Sequence, residues 1–265
     1  LIASIIANIA WGHTNVTCFD QGNNFPEAAG RNIRGHFDFT AKPGEQLIVR
    51  VAISPVSTAG ALANLVAEAP QADFDAVMER AEEMWRAELQ KVKVTMMDES
   101  RMTSFYTSLY HTFLSPTVYM DADGSYRGLD QNIHRADGFT NYTTFSLWDT
   151  YRALHPLVTI VQQQRTADMI NSMLAHYDQS VHHMLPVWSH HANENWCMIG
   201  YHAVPVIADA MVKKIEGFDY ARALDACITT AHNGWYDGLD DYMKLGYMPY
   251  ERTGSSVSVT LEYAY

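Results

Sequence analysis

Trp196-Cys-Met-Ile-Gly-Tyr-His-Ala-Val-Pro-Val-Ile-Ala-Asp-Ala-Met-Val-Lys-Lys-Ile-Glu216 places Met198, Tyr201, Ile207, Met211 and Ile215 on one helical stripe. That spacing predicts a helix over 196–216, bent at Pro205, because a proline inside a helix removes a backbone hydrogen bond. Stretches on either side read the same way and predict helices over 102–114, 147–162, 166–178 and 220–232. Pro116 closes the first, Asp219 is placed to cap the last, and a further helix is expected to open near Ser255. Successive helices of similar length suggest stacked helical hairpins, as in an (α/α)6 six-hairpin toroid. The chain supplies roughly half the helices of a closed ring of that kind, so it is expected to hold its first half.

Outward from this block toward the N-terminus, the pattern changes. His36-Phe-Asp-Phe39 and Gln46-Leu-Ile-Val-Arg-Val-Ala-Ile53 read as strands joined by the turn Lys42-Pro-Gly-Glu45. In the second, Leu47, Val49, Val51 and Ile53 share a face, as in a strand with one side on a core. These strands are expected to be the C-terminal end of a β-sandwich over 1–57. Phe74, Val77, Met78, Ala81, Trp85 and Leu89 then mark an amphipathic linker helix, capped by Asp73, within a helical linker at 58–100. The helical block is assigned to 101–265. With no initiator Met, and with Leu261-Glu-Tyr-Ala-Tyr265 falling in the middle of an element, both ends are expected to lie inside a longer protein.

The 265 residues are 48% hydrophobic and 18% charged, enough apolar material for a packed core. A formal net charge of −12 without a dense basic run argues against nucleic acid as a partner. No window is apolar for long enough to span a membrane. Cys18, Cys197 and Cys227 lack the close spacing of a zinc knuckle or redox pair.

Three loop clusters could carry chemistry. Asp121, Asp123 and Gly124 faintly resemble a calcium loop, but the later ligands are absent and an Asp-Gly turn explains them better. Ser146-Leu-Trp-Asp-Thr-Tyr-Arg152 brings an indole, a carboxylate and a guanidinium to a helix start. Trp148, Asp149 and Arg152 could form a sugar subsite, the indole stacking on a pyranose and the charged groups bonding adjacent hydroxyls. Asp149 could equally cap the helix and pair with Arg152 one turn on. Leu185-Pro-Val-Trp-Ser-His-His-Ala-Asn-Glu-Asn-Trp196 interleaves indoles with polar side chains, which suits a polyhydroxylated ligand. His190, His191 and Glu194 lack the ordered helical spacing of a zinc site. Glycoside hydrolysis uses two carboxyl groups, for which Asp149, Glu194 and Glu262 are the local candidates.

Ser146-Leu-Trp-Asp-Thr-Tyr-Arg-Ala-Leu-His-Pro-Leu157, Asn193-Glu-Asn-Trp-Cys-Met-Ile-Gly-Tyr-His202 and Ser256-Val-Ser-Val-Thr-Leu-Glu-Tyr-Ala-Tyr265 resemble glycoside hydrolase family 92. Tyr126-Arg-Gly-Leu-Asp130 and Phe105-Tyr-Thr-Ser-Leu-Tyr-His111 extend the resemblance from about residue 32 to the end. The resemblance implies a calcium-dependent, inverting exo-α-mannosidase built from a β-sandwich and an (α/α)6 toroid, acting on mannose-containing glycans. It implies that Asp149 and the Asn193-Glu-Asn-Trp196 loop line the pocket for the terminal mannose, with Trp148 and Arg152 in support. The family's general acid, general base and most calcium ligands belong to Glu-Gly-Asn-Ala-Trp, Gly-Asn-Glu-Pro and Asp-Cys-Gly-Gln motifs, none of which occurs in these residues. No catalytic residue is therefore assigned, those groups being expected beyond Tyr265, and the isolated segment is expected to lack hydrolytic activity. The alternative is a non-catalytic glycan-binding protein with a truncated toroid. The resemblance also favours a bacterial periplasmic or secreted protein.

Overall fold

The computed structural model describes residues 6–8, 14–19, 34–39, 42–45, 48–70, 73–253 and 262–263, with 6–8, 14–19, 34–39 and 252–253 described by their backbone alone. The helix expected near Ser255 lies largely outside these residues.

Four short strands open the chain: β1 (Ile6–Asn8), β2 (Thr14–Phe19), β3 (Arg34–Phe39) and β4 (Arg50–Ala52). The two strands read from the sequence are both present but do not pair with each other. Strand β3 pairs antiparallel with β2, Thr14 opposite Phe39, while β4 pairs with β1, Ile6 opposite Ala52. The buried face of β4 is also the reverse of the expected one. Ala52 is buried against Ala61 and Leu65, whereas Val49, Val51 and Ile53 are more than half exposed. Helix α1 (Thr58–Glu68) packs on the Ala52 side and so decides which face is covered.

Helix α1 is fixed by a buried polar knot. Asp121 accepts from Ser54 Oγ at 2.7 Å and from Asn64 Nδ2 at 2.8 Å, and Asn64 Oδ1 accepts from the Ala122 backbone at 2.7 Å. Gly60 is required here, since a Cβ would stand 2.3 Å from Asp121 Oδ2. The linker helix α2 (Phe74–Leu89) starts at Asp73, whose carboxylate accepts from the backbone of Asp75 and Ala76. Its Glu88 fastens it to the helical block through Arg165 at 2.9 Å and Gln162 at 2.6 Å.

Helix α3 (Glu99–Thr112) leads into four two- or three-residue strands, β5 (Thr117–Val118), β6 (Ser125–Arg127), β7 (Ile133–Arg135) and β8 (Tyr142–Thr143). Then come α4 (Leu147–Thr150), α5 (Leu154–Val161) and α6 (Gln163–Gln179). The hairpin β9 (Ser189–His190) and β10 (Asn193–Glu194) follows, and then α7 (Ala203–Val212), α8 (Tyr220–Ala231), α9 (Leu239–Leu245) and α10 (Tyr250–Thr253).

Helix α5 packs on α6 and α7 on α8, and the two pairs lie against each other through α5 with α7 and α6 with α8. Their shared core includes Val158, Ile170, Met173, Leu174, Val206 and Ile207, all nearly or fully buried. Each such side chain contributes about 1.5–3 kcal/mol of transfer free energy. The helix expected over 147–162 is two helices, separated by a turn at 151–153. The one expected over 196–216 begins only at Ala203, so Pro205 falls in the first turn, where a missing N–H costs nothing. Among the described residues no helix is long and apolar enough to cross a membrane.

Candidate functional site

Two loops of the sequence analysis are brought side by side by backbone hydrogen bonds. Phe145 N donates to Ser189 O at 3.0 Å and Leu147 N to Val187 O at 3.5 Å. Phe145 and Leu147 are buried beneath them, so α4 and the loop before α7 rest on the same core.

On the first loop, Ser146 Oγ donates to the exposed Asp149 carboxylate in a short contact at the start of α4. Arg152 lies over two rings, its guanidinium carbon 5.4 Å from the Trp148 centroid and 4.7 Å from that of Tyr151. Such stacking holds a guanidinium flat while leaving its N–H groups in plane for ligands. Arg152 does not pair with Asp149 as helical spacing allowed. Its Nη2 is 3.4 Å from Oε1 of Glu262, a residue 110 positions further on. The other oxygen of Glu262 is 2.9 Å from His202 Nε2, and the His202 ring stacks on Tyr151 with centroids 4.1 Å apart and planes 3° off parallel. Burial lowers the His202 pKa, opposed by the adjacent Glu262 carboxylate. Trp148 Nε1 is buried without an acceptor among the described residues.

On the second loop, Glu194 is turned inward. Its Oε1 accepts from the backbone N–H of Trp188 at 2.9 Å and of Trp196 at 3.0 Å, and its Oε2 from that of Val187 at 3.0 Å. The carboxylate thus knits the loop from within. Asn193 and Asn195 are exposed. Trp196, at φ 53°, points to a second aromatic group, 5.1 Å from Trp235 and 5.5 Å from Tyr236. No contact between the Trp196 ring and the Trp148–Arg152 group is present among the described residues.

The structure therefore gathers Trp148, Arg152 and Glu262, leaves Asp149 exposed on Ser146, and directs Glu194 into its own loop and Trp196 toward Trp235 and Tyr236. Tyr151 and His202 were not singled out by sequence reasoning. Both lie inside the quoted motifs, Tyr151 next to Arg152 and His202 just after Gly200, but a stacking partner across 51 positions leaves no local pattern. His190 and His191 lie against Trp188 and Tyr119, not against a common point. Among the described residues no three His, Cys, Asp or Glu side chains converge to hold a metal ion. Asp121 is occupied by Ser54 and Asn64, and Asp123 Oδ1 accepts from Ser125 N in a tight turn.

Helical pairs presenting indoles, a guanidinium and carboxylates on loops are a layout suited to carbohydrate recognition. The family model described as the glycosyl hydrolase family 92 catalytic domain matches residues 60–265, and the chain belongs to that family. It is similar to the family GH92 alpha-mannosidase BT3965 from Bacteroides thetaiotaomicron, with 46% identity and a TM-score of 0.89 over 98% of this chain and 36% of that one. The same enzyme in complex with mannoimidazole matches with the same identity and TM-score. The family GH92 inverting mannosidase BT2199 from Bacteroides thetaiotaomicron VPI-5482 is 32% identical, with a TM-score of 0.79 over 86% of this chain and 32% of that one. The chain thus spans about a third of the length of these solved structures. No curated protein sequence matches it.

Proposed function

We propose that this chain is the mannose-recognition portion of an exo-acting α-mannosidase that hydrolyses terminal α-linked mannose with inversion. The observation that carries the reading is the Arg152 guanidinium stacked on Trp148 and Tyr151, within a chain 46% identical to an α-mannosidase. Aromatic faces suit the C–H surface of a pyranose, and Arg152, Asp149 and Asn193 offer donors and acceptors to its hydroxyls. Glu194 shapes the loop that carries Asn193 and Trp196.

In this reading, residues 1–57 end a β-sandwich, 58–100 form a helical linker and 101–265 are part of an (α/α)6 toroid, of which the packed pairs α5–α6 and α7–α8 are successive hairpins. The general acid, the general base and most of the calcium ligands come from motifs outside these 265 residues. Among the described residues no three His, Cys, Asp or Glu side chains come together around a cation. The protein acts in the periplasm or outside a bacterial cell.

Mannose release is the test, measured on the isolated chain and on the longer enzyme that carries it. The longer enzyme should release mannose and lose about tenfold or more in kcat/KM on Trp148→Ala or Arg152→Ala. The isolated chain should release none. Release by the isolated chain would overturn the placement of the acid and base, and unaltered kinetics in both variants would overturn the recognition assignment.

A further inference from the structure

We infer that Glu262, anchored by His202, is a positioning residue that fixes the Arg152 guanidinium for a sugar hydroxyl and takes no part in proton transfer. The inference rests on the reading of Arg152 as a mannose ligand.

Four side chains close a ring of contacts. Arg152 reaches Glu262 Oε1 at 3.4 Å, Glu262 Oε2 meets His202 Nε2 at 2.9 Å, His202 stacks on Tyr151 at 4.1 Å, and Tyr151 lies under Arg152 at 4.7 Å. Exposure changes steadily around the ring. The side chains of His202 and Glu262 are 4% and 10% exposed, while that of Arg152 is 50% exposed. The buried half is therefore the anchor and the guanidinium is the end that meets solvent and ligand.

Gly200 secures the anchor. It holds φ +81°, and a Cβ there would stand 2.7 Å from His202 Nε2, the atom that faces Glu262. The backbone has been kept clear so that the imidazole can reach the carboxylate.

A general acid or base needs an oxygen free to meet the glycosidic oxygen or the attacking water. Glu262 Oε1 is turned to the guanidinium at 3.4 Å, and Oε2 is buried against the His202 ring, an ion-pair contact at 2.9 Å without hydrogen-bond alignment that leaves this oxygen closed to a ligand. What the carboxylate can do is hold the guanidinium in one plane, which lowers the entropy lost when a hydroxyl binds. The carboxylate's charge is what draws the guanidinium to this side, while the rings beneath it set its plane.

The experiment is a double-mutant cycle in the longer enzyme, with kinetics on an α-mannoside. Glu262→Gln should raise KM about tenfold and change kcat less than about threefold, and should add nothing in an Arg152→Ala background. The pH dependence of kcat should keep both limbs, and Glu262→Asp should recover part of the lost affinity. Losses that add to those of Arg152→Ala would overturn the inference, because Glu262 would then act on the sugar by itself. A lost limb in the pH profile would also overturn it, by showing a proton-transfer role. If Arg152→Ala alone leaves the kinetics unchanged, the recognition reading fails together with the inference. Thermal unfolding of each variant separates these outcomes from loss of fold.

Discussion

Glu194 and Glu262 each sit beside a histidine, yet one belongs to the scaffold and the other to the site. Glu194 Oε2 is 3.5 Å from His176 Nε2, but its oxygens already accept three backbone N–H groups. The imidazole is a bystander there. Glu262 receives no backbone N–H among the described residues and is held instead by His202 and Arg152, side chains on α7's entry and the turn after α4. A carboxylate whose oxygens are claimed by backbone fixes a loop. One held by other side chains sets their positions in turn, and here the chain of contacts ends on an exposed guanidinium.

The sharpest test of this contrast is Glu194→Ala. Three backbone donors would lose a buried acceptor at once, and each such loss costs about 1–3 kcal/mol. We expect about 3–5 kcal/mol of destabilisation, read from the urea midpoint at constant slope. A loss below about 1 kcal/mol would show that the loop does not depend on this carboxylate and would erase the distinction.

His176 sharpens the same side of the comparison through pH. Burial pushes its pKa down to about 3, whereas in the unfolded chain it titrates near its ordinary 6.5. The unfolded state then binds a proton that the native state refuses. Its contribution is fully present above pH 6.5 and is lost as pH falls from there toward 3, at up to about 1.4 kcal/mol per pH unit. At pH 5 this amounts to about 2 kcal/mol relative to pH 7. Denaturation of the native chain and of His176→Gln across pH 7 to 5 should give a shallower slope in the variant. Equal slopes would mean that His176 takes up its proton as readily in the folded state as in the unfolded one, and a steeper slope in the variant would mean that it is charged and paired with Glu194.

Gly200→Ala tests the other side. The substitution places a side chain at φ +81° and within 2.7 Å of His202 Nε2, so about 1–3 kcal/mol should be lost and the imidazole displaced from Glu262. The check is the KM of the longer enzyme, which should rise as in Glu262→Gln. A stable variant with unchanged KM would separate the His202 anchor from sugar recognition.

Much of this was legible in the sequence, and the misses have physical causes. Helices over 102–114, 166–178 and 220–232 were readable because apolar periodicity and the cap Asp219 agree with the packing of α3, α6 and α8. The helix over 196–216 was extended too far because Met198 and Tyr201 continue the stripe of α7. Positive φ at Trp196, Met198 and Gly200 breaks the helix there, and hydrogen bonding decides this locally, since Glu194 accepts from Trp196 N. The burial of β4 was inverted because the apolar face of a strand is covered only where something packs on it, and α1 packs on Ala52. In the site, Trp148, Arg152 and Asp149 form one short motif and were visible as such. The contact of Arg152 with Glu262 spans 110 positions, which no local pattern encodes.

The smallest expected effect is the stability change of Glu262→Gln set against that of Glu194→Gln. An amide at 194 offers one acceptor oxygen to three N–H groups and turns its own N–H2 toward donors, so repulsion joins the lost bonds. At 262 no backbone donor and no aligned hydrogen bond to the imidazole is given up among the described residues, and Arg152, half exposed, regains water. Loss of a partly exposed ion pair costs about 0–1 kcal/mol. Paired urea curves should therefore separate the two variants by about 1 kcal/mol or more, with Glu262→Gln close to the native chain. Equal losses would mean that Glu262 is as much a part of the scaffold as Glu194, and that the raised KM of its variant reports a loosened fold.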